Sequence, residues 1–516
     1  MAKKQLYKVL LVFMLLAAFF IRYKGITFGF PMITYHDEKK IVNRALNILE
    51  TGDMNPHFFN YPTGYIYTQA ALFGLMDIGI KIAGDPDGIK NVDQTTIYFA
   101  GRFLTILLSI GTIFIVYIIG TLLAGRTGGL VAGVFTAFSF LHVSNSFLVT
   151  VDSPMAFWCM LSFLMALLII EKGPKFRYYV LAAIFAGFAV GSKYTAFIIV
   201  LPLIYAHLYS NSFSIKKSID KKIILTLLLV VLVFLLTTPY AILDFDTFKK
   251  DLFFESRHYS TDHPGAASAA NSYKSYFLFL IDGFGLIPFI LSIFGIAYLM
   301  VKDKKKGLFL LIFPLLFFLF IGRYKVHFPR NLLAIIPFLS IFGGLLTAAA
   351  VDIFKRYRKS ELKVLLLAGL VIFSMAGLYG VYEQGGKSYK YVKRITLPNT
   401  RWESTLWINE NLPAGSKIVL EHYTPRPDKK LFKLSYPGIC GLKRVVSKLD
   451  QFDYIVASSN DYGRFFSNRK KYAKQINIYN GIFEKYELVK EFKPVKGQST
   501  GPVIKILKVI KKHPPF

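Results

Sequence analysis

Long apolar runs dominate this chain and limit it to a fold that crosses a lipid bilayer. Three of these runs, 10–21, 223–236 and 308–321, contain almost no polar residue. About 20 apolar residues cross the hydrocarbon core as a helix, and a helix satisfies its own backbone hydrogen bonds where lipid cannot. With 54% hydrophobic residues among 516 and a mean hydropathy of +0.44, the sequence predicts an α-helical, polytopic membrane protein.

Short basic loops determine how many spans we predict. Lys and Arg accumulate in cytoplasmic loops. With eleven spans, five basic clusters face one side, which predicts a cytoplasmic N-terminus and a first helix that is retained because it lacks a small-residue cleavage site. The predicted spans are 6–22, 96–122, 127–148, 154–171, 178–191, 194–210, 222–239, 275–301, 307–322, 331–350 and 362–383.

The same topology predicts two domains and a structured first outer loop. Residues 1–383 form the transmembrane catalytic domain, and 384–516 form a small extracytoplasmic α/β domain. Residues 61–82 are apolar enough to span, but a crossing there would turn the later basic loops outward, so we expect an interfacial or re-entrant helix. Residues 38–50 have one apolar and one basic face, which predicts a second interfacial helix ending at Thr51-Gly52.

The C-terminal region has the alternation of predicted helix and strands that is typical of a small α/β domain. The stretch 403–422 predicts a helix, a turn at Gly415 and a strand, and 452–459 predicts a buried strand. The Ile- and Val-rich stretches 478–494 and 503–510 predict further strands.

The net charge of +31 narrows the choice of partners. A value this high can indicate nucleic-acid binding. Here the charge is scattered through loops and the tail, which favours orientation in the membrane and attraction to anionic lipid, so we predict no nucleic-acid partner. The two cysteines, Cys159 and Cys440, fall in a span and in the tail, so a disulfide between them is not expected and the redox compartment stays open.

Two adjacent carboxylates, Asp37 and Glu38, follow the first span and precede the Pro- and aromatic-rich stretch 55–67. Helix capping is one interpretation, because acidic residues are favoured where a helix begins. The other is a general base that removes a proton from an acceptor hydroxyl. Their position at the mouth of a helical bundle favours the second interpretation.

Asp152 lies between two predicted spans, at the outer end of one and the start of the next. Asp-Ser-Pro also caps helices, so a structural role stays open. Acidic residues at the rim of a span usually face a cavity or a partner rather than lipid. We therefore expect Asp37 and Asp152 to reach one side of the membrane at similar depth, where they could share an acceptor, a metal or a proton.

Several cations are predicted at the outer ends of spans, where positive residues are uncommon. Snorkelling towards lipid headgroups is the structural alternative. Arg330 begins a helix, where a cation is unfavourable unless an anion is also present, so a lipid phosphate is predicted there. These cations are Lys40, Arg102, Lys193, Arg323, Lys325 and Arg330.

A predicted outer loop, 255–265, contains metal-ligand residue types without the spacing of a tight zinc site. Metal binding, a substrate-gating loop and a plain solvated loop all stay open. We predict a substrate-contacting set formed by His57, Glu255, His258 and His263. The sequence contains no Walker phosphate loop and no G-x-G-x-x-G motif, so an activated donor would arrive in another form, and a lipid-linked one would suit a membrane protein.

Five segments, in this order, resemble the GT-C membrane glycosyltransferases of the protein O-mannosyltransferase and aminoarabinose-transferase type, glycosyltransferase family 39. They are 35–67, 100–120, 142–158, 191–197 and 328–339. The resemblance implies a sugar on a polyprenyl monophosphate as donor, used at the outer face with inversion at the anomeric carbon. It also implies that family members differ in metal need, so no cofactor is predicted and a divalent metal stays an open alternative.

The resemblance also assigns residues. Asp37 matches the catalytic acid of the first outer loop with Glu38 beside it, and Asp152 matches the second outer acid. Arg102 and Lys40 match positions associated with the donor phosphate. Where the family often has Pro-Pro, this chain has Tyr61-Pro62-Thr63, a departure from the family pattern at the local lipid contact. The other predicted phosphate and lipid contacts are Tyr61, Lys193 and Arg330.

Three functions follow from these observations. The first is a hexosyltransferase, similar to the mannosyltransferases, that uses a polyprenyl-phosphate sugar and a hydroxyl of a protein, lipid or glycan in the cell envelope. The alternative is a transporter or flippase of lipid-linked glycans, whose charges would line a path near mid-membrane. The third is a membrane scaffold whose tail binds cell-wall polymer.

Overall fold

The computed structural model describes residues 2–260, 272–357, 361–466 and 468–510. The chain divides into two compact units. Over the described residues, the membrane unit comprises 2–26, 36–260 and 272–392, and the C-terminal unit comprises 27–35 and the residues from 393 onwards.

The membrane unit is built from helices, and the long apolar ones among them follow the predicted spans. In chain order they are α1 (Ala2–Tyr23), α2 (His36–Thr51), α3 (Gly64–Ile82), α4 (Gln94–Phe138), α5 (Phe140–Asn145), α6 (Asp152–Lys172), α7 (Phe176–Ser192), α8 (Val200–Ser210), α9 (Ile215–Ser218), α10 (Lys221–Thr237), α11 (Tyr240–Leu243), α12 (Phe245–Ser260), α13 (Ser272–Phe284), α14 (Leu286–Lys302), α15 (Lys304–Gly322), α16 (Ile336–Tyr357) and α17 (Lys363–Ile395). Short 3-10 turns occur at Gly88–Asn91, Tyr194–Ile199 and Pro329–Ile335.

Among the described residues, six helices are long and apolar enough to cross a membrane, or seven if the pair α13 and α14, bent by 109°, forms one span. The other predicted spans fall on the second half of α4 and on shorter helices such as α7, so the total of eleven stays a prediction. The protein is nevertheless a multi-pass membrane protein in fold. Helix α3 is not among the candidate spans.

A kink divides α4 where the sequence predicted a loop between two spans. Ala124 and Gly125 leave helical geometry, and Gly125 has a φ of +69°, which glycine adopts without the steric cost of a Cβ atom. Helix α4 also packs closely against α16, because Gly128 and Gly344 carry no side chains. A Cβ atom at Gly344 would lie 2.3 Å from the carbonyl oxygen of Gly128. Small residues allow such close backbone approach between helices in membranes.

The predicted domain boundary at 383/384 falls inside α17. The helix runs on to Ile395, through Gly385 and Gly386, and ends three residues before Pro398. Glycine lowers the stability of a helix by about 1 kcal/mol relative to alanine, and in α17 this cost does not end the helix at Gly385 and Gly386. The long segment of the C-terminal unit starts at Lys393, and the unit also includes Thr27–Tyr35, which the sequence analysis placed in the first domain.

The C-terminal unit is a five-stranded mixed sheet with helices. Its strands are β1 (Lys417–Leu420), β2 (Lys433–Ser435), β3 (Tyr454–Ser458), β4 (Glu487–Phe492) and β5 (Ile504–Lys508), in the order β2-β1-β3-β5-β4. Strands β1, β2 and β3 are parallel, whereas β5 is antiparallel to both β3 and β4. Its helices are α18 (Thr400–Asn411), α19 (Ser459–Phe466) and α20 (Ala473–Lys485).

Most of the predicted pattern in this unit is confirmed. Helix α18, the turn at Gly415 with a φ of +82°, strand β1 and the fully buried strand β3 lie where they were expected. The stretch 478–485 was wrongly predicted as strand. It belongs to α20, because Ile476, Tyr479 and Ile482 repeat at a spacing of three and bury one helical face.

A buried carboxyl group follows strand β1. Glu421 has no exposed surface, accepts a hydrogen bond from the Tyr479 hydroxyl, and accepts another from the backbone N–H of Ser458 at 3.1 Å. Burial, reinforced by the nearby Asp461 carboxylate, raises the pKa of Glu421 to about 8. The protonated form is therefore the one that the folded unit favours.

We expect the C-terminal unit to lose stability as the pH rises. A carboxyl group with a raised pKa holds a proton in the folded state that the unfolded chain has already released, so stability falls between the ordinary pKa of 4.5 and about 8. Hydrogen exchange of the β1 and β3 amides, corrected for intrinsic rates, should accelerate over this range. Glu421→Gln should flatten the dependence, leaving the part due to Asp461. The exposed Glu487→Gln is the matched control, and identical slopes in both variants would contradict the assignment.

Candidate active site

Helix α2 presents the first pair of acidic residues. Its buried face comprises Ile41, Val42, Ala45 and Ile48, and Gly52, with a φ of +73°, follows its last residue. The predicted amphipathic helix and its end are therefore confirmed. Its first turn carries the two acidic residues that the sequence singled out, and consecutive residues on a helix point about 100° apart.

Glu38 turns inward and forms a buried ion pair with Arg102. The Arg102 Nε and Nη2 atoms donate to the two carboxylate oxygens at 2.8 and 2.7 Å, and neither side chain has exposed surface. The backbone N–H of Val149 also donates to Glu38, at 3.0 Å, while Arg102 Nη1 donates to the carbonyl of Ile26 at 2.7 Å. This pair links α2, α4 and the segment before α6. Because both groups are enclosed and engaged, we leave Glu38 out of the candidate catalytic set and Arg102 out of the candidate phosphate ligands.

Asp37 instead faces a cleft that the membrane unit forms. The Arg330 Nη2 atom lies 3.0 Å from its Oδ2, and the Lys40 Nζ atom lies 3.3 Å from its Oδ1. Burial would raise the pKa of Asp37, but the charges of Arg330 and Lys40 outweigh it and hold the pKa below the usual range. Asp37 is therefore ionised at neutral pH, with a cation on each carboxylate oxygen.

Asp152 reaches the same cleft from the start of α6. The Lys193 Nζ atom donates to its Oδ1 at 2.6 Å, and the Arg330 Nε atom lies 3.8 Å from its Oδ2. Lys193 also donates to the amide oxygen of Asn331 at 3.0 Å. Arg330 therefore lies between two carboxylates that are 115 positions apart in the chain (152 − 37).

The cleft is small and is lined by four charged side chains, and a larger apolar cavity lies beside it. The cleft is lined by Asp37, Ile41, Tyr61, Thr150, Val151, Asp152, Lys193, Tyr259 and Arg330. The cavity, of about 380 Å³, shares Tyr61, Lys193 and Tyr259 with the cleft. Its other walls are mainly aromatic and aliphatic and include Tyr194, Phe197, Leu252, Phe253, Phe320, Ile321 and Tyr324.

The predicted substrate-contacting residues are divided between several places. Glu255 and His258 lie on α12, which runs to Ser260, so the loop predicted to begin at 255 is helical in its first six residues. Glu255 lines the apolar cavity and accepts a hydrogen bond from the Asn60 side chain at 3.0 Å. Burial raises the pKa of Glu255, and burial together with Lys40 lowers that of His258. His263 lies outside the described residues.

His57 is not among the residues that line the cleft or the cavity. Its Nε2 lies 2.9 Å from the Asp53 carboxylate, and its Nδ1 lies 3.8 Å from that of Asp244. The side chain is exposed, and its φ of +47° is uncommon for a residue with a Cβ atom. The contacts indicate that His57 shapes the connection between α2 and α3.

Sequence reasoning missed several groups at this site, among them Tyr259, which lines both the cleft and the cavity. Asn331 positions Lys193 and also donates to the Tyr276 hydroxyl at 2.9 Å, and Asn60 holds Glu255. The signal for Asn331 was its place directly after Arg330 at a helix start. Asn60 had none, because a single Asn in an aromatic loop is typical of many turns.

The carboxylates are a poor ligand set for a divalent metal. Among the described residues, no group of three or more His, Cys, Asp or Glu side chains is arranged to hold one. Both carboxylates of the cleft already contact ammonium or guanidinium groups. We therefore derive no step through a metal.

Solved structures share this fold across nearly the whole chain. ArnT from Cupriavidus metallidurans, bound to undecaprenyl phosphate, matches with a TM-score of 0.59 and 12% identity over 97% of this chain and 98% of that one. The oligosaccharyltransferase AglB from Archaeoglobus fulgidus, in complex with an inhibitory peptide and a dolichol-phosphate, matches with a TM-score of 0.62 and 13% identity over 95% and 74%. At these identities the likeness establishes a shared fold. The chain thus has the fold of the GT-C membrane glycosyltransferases, and the predicted resemblance to that class is confirmed.

A protein-family model matches one part of the chain in sequence. Residues 95–240 match the family described as dolichyl-phosphate-mannose-protein mannosyltransferase. This region runs from the start of α4 to the end of α10 and contains Asp152 and Lys193. Among proteins with curated functions, none matches the chain in sequence.

Proposed function

We propose that the protein is an inverting glycosyltransferase that moves a sugar from a polyprenyl-phosphate donor to an acceptor hydroxyl, with Asp37 as the general base. The observation that carries the proposal is the cleft itself. Asp37 and Asp152, from distant parts of the chain, meet there around Arg330 with Lys40 and Lys193 beside them. The fold shared with ArnT and AglB supports a transferase of this class.

The charges of the cleft suit a donor phosphate. Three cations, Lys40, Lys193 and Arg330, face two carboxylates, which leaves one positive charge for a phosphodiester carrying one negative charge. As the glycosidic bond breaks, the leaving phosphate gains negative charge. Fixed cations in a site shielded from water stabilise that charge without reorganising, which lowers the barrier. Lys193 and Arg330 are the proposed phosphate ligands, and Lys40 completes the set.

The apolar cavity suits the polyprenyl part of the donor. It begins at the three residues that it shares with the cleft, so a phosphate held by Lys193 would leave the adjoining isoprene units among its aromatic and aliphatic walls. Binding sites of this kind are mostly apolar with a few placed polar groups. ArnT was solved with undecaprenyl phosphate and AglB with a dolichol-phosphate, which supports a lipid of this chemistry.

The proposed reaction needs one displacement and one proton transfer. The acceptor oxygen attacks the anomeric carbon, and the bond from that carbon to the phosphate oxygen breaks, with its electron pair leaving on the phosphate. The acceptor proton passes to the Asp37 carboxylate. The products are an inverted glycoside and polyprenyl phosphate, so no covalent enzyme intermediate is required. A mannosyl donor is the first sugar to test, because of the family that matches residues 95–240.

The charge distribution of the loops indicates on which side of the membrane the cleft lies. We propose that the reaction takes place at the outer face of the cell membrane, with the N-terminus cytoplasmic and the C-terminal unit extracytoplasmic, as the basic loops indicate. The acceptor is a hydroxyl group of a protein, a lipid or a glycan.

Lys193→Gln should lower the specificity constant for the donor on the order of 10²-fold, since one fixed charge facing the leaving phosphate is lost. The measurement is the initial rate against the concentration of polyprenyl-phosphate sugar in vesicles. Lys325→Gln is the matched control, because Lys325 is an exposed cation on the connection between α15 and Arg330 that lines neither the cleft nor the cavity. Equal losses in both variants would show that Lys193 has no special place at the phosphate.

The function itself is tested with purified protein in vesicles, a doubly labelled polyprenyl-phosphate sugar and a panel of hydroxyl acceptors. Sugar label on the acceptor, with polyprenyl phosphate released in equal amount, is the expected result. If intact labelled lipid crosses the vesicle membrane and no bond breaks, a transporter replaces the transferase.

A further inference from the structure

We infer that the donor phosphate displaces Arg330 from Asp37, so that Asp37 is free to accept a proton only once the donor is bound. This inference rests on the proposed function and adds a regulatory step to it. Arg330 then contacts two anions in turn, Asp37 before the donor binds and the donor phosphate afterwards.

Asp37 contacts a cation through each of its carboxylate oxygens. One oxygen of Asp37 contacts the Arg330 guanidinium at 3.0 Å, and the other contacts the Lys40 ammonium at 3.3 Å. A carboxylate that has a cation on each oxygen holds its charge in a favourable environment and is a weak acceptor of a proton. An acceptor hydroxyl would have to compete with both cations for the same oxygens.

Arg330 is the cation that a bound phosphate can draw away from Asp37. Its Nη2 faces Asp37, and its Nε lies 3.8 Å from Asp152. The guanidinium fork binds phosphate through two parallel hydrogen bonds, a geometry that one nitrogen on each of two carboxylates does not provide. Lys193, already fixed by Asp152 and Asn331, marks the adjoining side of the phosphate site. A phosphate on Lys193 therefore offers Arg330 a better partner than Asp37.

Once Arg330 has moved from Asp37 to the phosphate, the surroundings of Asp37 raise its affinity for a proton. Once Arg330 turns to the phosphate, burial acts on the carboxylate with less opposing charge, and a phosphate nearby disfavours the ionised form further. Both changes raise the proton affinity of Asp37. The titratable and charged groups around it are His36 and Lys40 on its own helix, Tyr61 on the following loop, Asp152 on α6, Lys193 after α7, Glu255, His258 and Tyr259 on α12, and Arg330.

As a result, kcat/KM for the donor and kcat/KM for the acceptor should lose activity at different acidic pH values. The fall of each constant on the acidic side of its pH profile is called its acidic limb. In the donor-free enzyme the pKa of Asp37 is lowered, so the acidic limb measured on kcat/KM for the donor lies at low pH. With saturating donor, the limb measured on kcat/KM for the acceptor reports the donor complex and should lie roughly one pH unit higher, as expected when an adjacent cation is withdrawn.

Proton uptake tests the exchange without catalysis. Polyprenyl phosphate, the non-reactive product, is titrated into the full-length protein between about pH 3.5 and 4.5 in buffers of different ionisation enthalpy. The wild type should take up on the order of half a proton more than Asp37→Asn, because only the wild type protonates the released carboxylate. Subtracting the variant removes the titration of the lipid phosphate itself. Equal uptake by the two proteins would overturn the inference.

Variants of Arg330 provide the kinetic test. In Arg330→Gln only Lys40 contacts the Asp37 carboxylate, whether or not the donor is bound, so the gap between the two acidic limbs should largely close, whatever the overall loss in rate. Arg323→Gln, which removes an exposed cation outside the cleft, should keep the gap. Transfer and lipid binding with no gap in the wild type would overturn this inference alone. If the wild type neither binds polyprenyl phosphate nor transfers sugar, the proposed function falls with it.

Discussion

Replacing Asp37 with asparagine should lower the rate of sugar transfer by about 10²–10⁴-fold, the range typical for loss of a general base. Asparagine keeps the shape of the side chain but cannot accept the proton of the acceptor hydroxyl. The loss should fall on kcat, because the proposed phosphate ligands Lys193 and Arg330 stay in place. The measurement is the initial rate of label transfer at saturating donor and acceptor.

Two further variants make this result specific. Asp246→Asn changes an exposed acidic residue of α12 and should leave the rate within about twofold, since surface changes away from special features have small effects. Asp152→Asn should cost less than Asp37→Asn, because Asp152 holds Lys193 and Arg330 rather than the proton. Normal turnover by a folded Asp37→Asn protein would remove the general base from the account.

The second large effect concerns folding. Arg102→Met should destabilise the membrane unit by about 3–5 kcal/mol, the usual cost of removing one partner of a buried ion pair. The Glu38 carboxylate would remain without exposed surface and with only the Val149 N–H as a described donor. Thermal unfolding in detergent or nanodiscs, and the yield of monodisperse protein, should both show the loss.

An exposed ion pair and a double variant are the controls. Lys81→Met breaks the exposed pair with Asp77 and should change stability by less than about 1 kcal/mol. Glu38→Leu combined with Arg102→Met should recover part of the loss, because two apolar groups leave no charge buried. If Arg102→Met is as stable as Lys81→Met, the buried ion pair does not contribute to folding. Arg102 would then return to the candidate ligands of the donor phosphate.

Local patterns were enough to predict much of the fold. The apolar runs gave the membrane helices, the two-faced pattern of α2 gave its length, and Gly52 and Gly415 marked ends that positive φ values explain. Hydrophobic periodicity did not distinguish strand from helix in one short apolar segment. The Ile-rich sequence of α20 predicts a strand, although its buried residues repeat every three positions, as on one face of a helix.

The site was predictable in its residue types but not in its pairings. Asp37 and Glu38 are neighbours in sequence, and which of them faces the cleft depends on the rotation of α2 against α4 and on burial. A cation such as Arg102 at a span end can pair inward or reach a ligand, and only tertiary contacts decide between them. Arg330 was singled out because a cation at a helix start requires an anion. The structure supplies two carboxylates there.

The most direct measurement is an electron cryo-microscopy structure of the full-length protein in nanodiscs with added polyprenyl phosphate. We expect the phosphate within hydrogen-bond distance of Lys193 and Arg330, the first isoprene units in the cavity next to Tyr61 and Tyr259, and Asp37 facing open space where an acceptor can enter. Lipid phosphate bound at another surface, with Arg330 still on Asp37, would contradict the account.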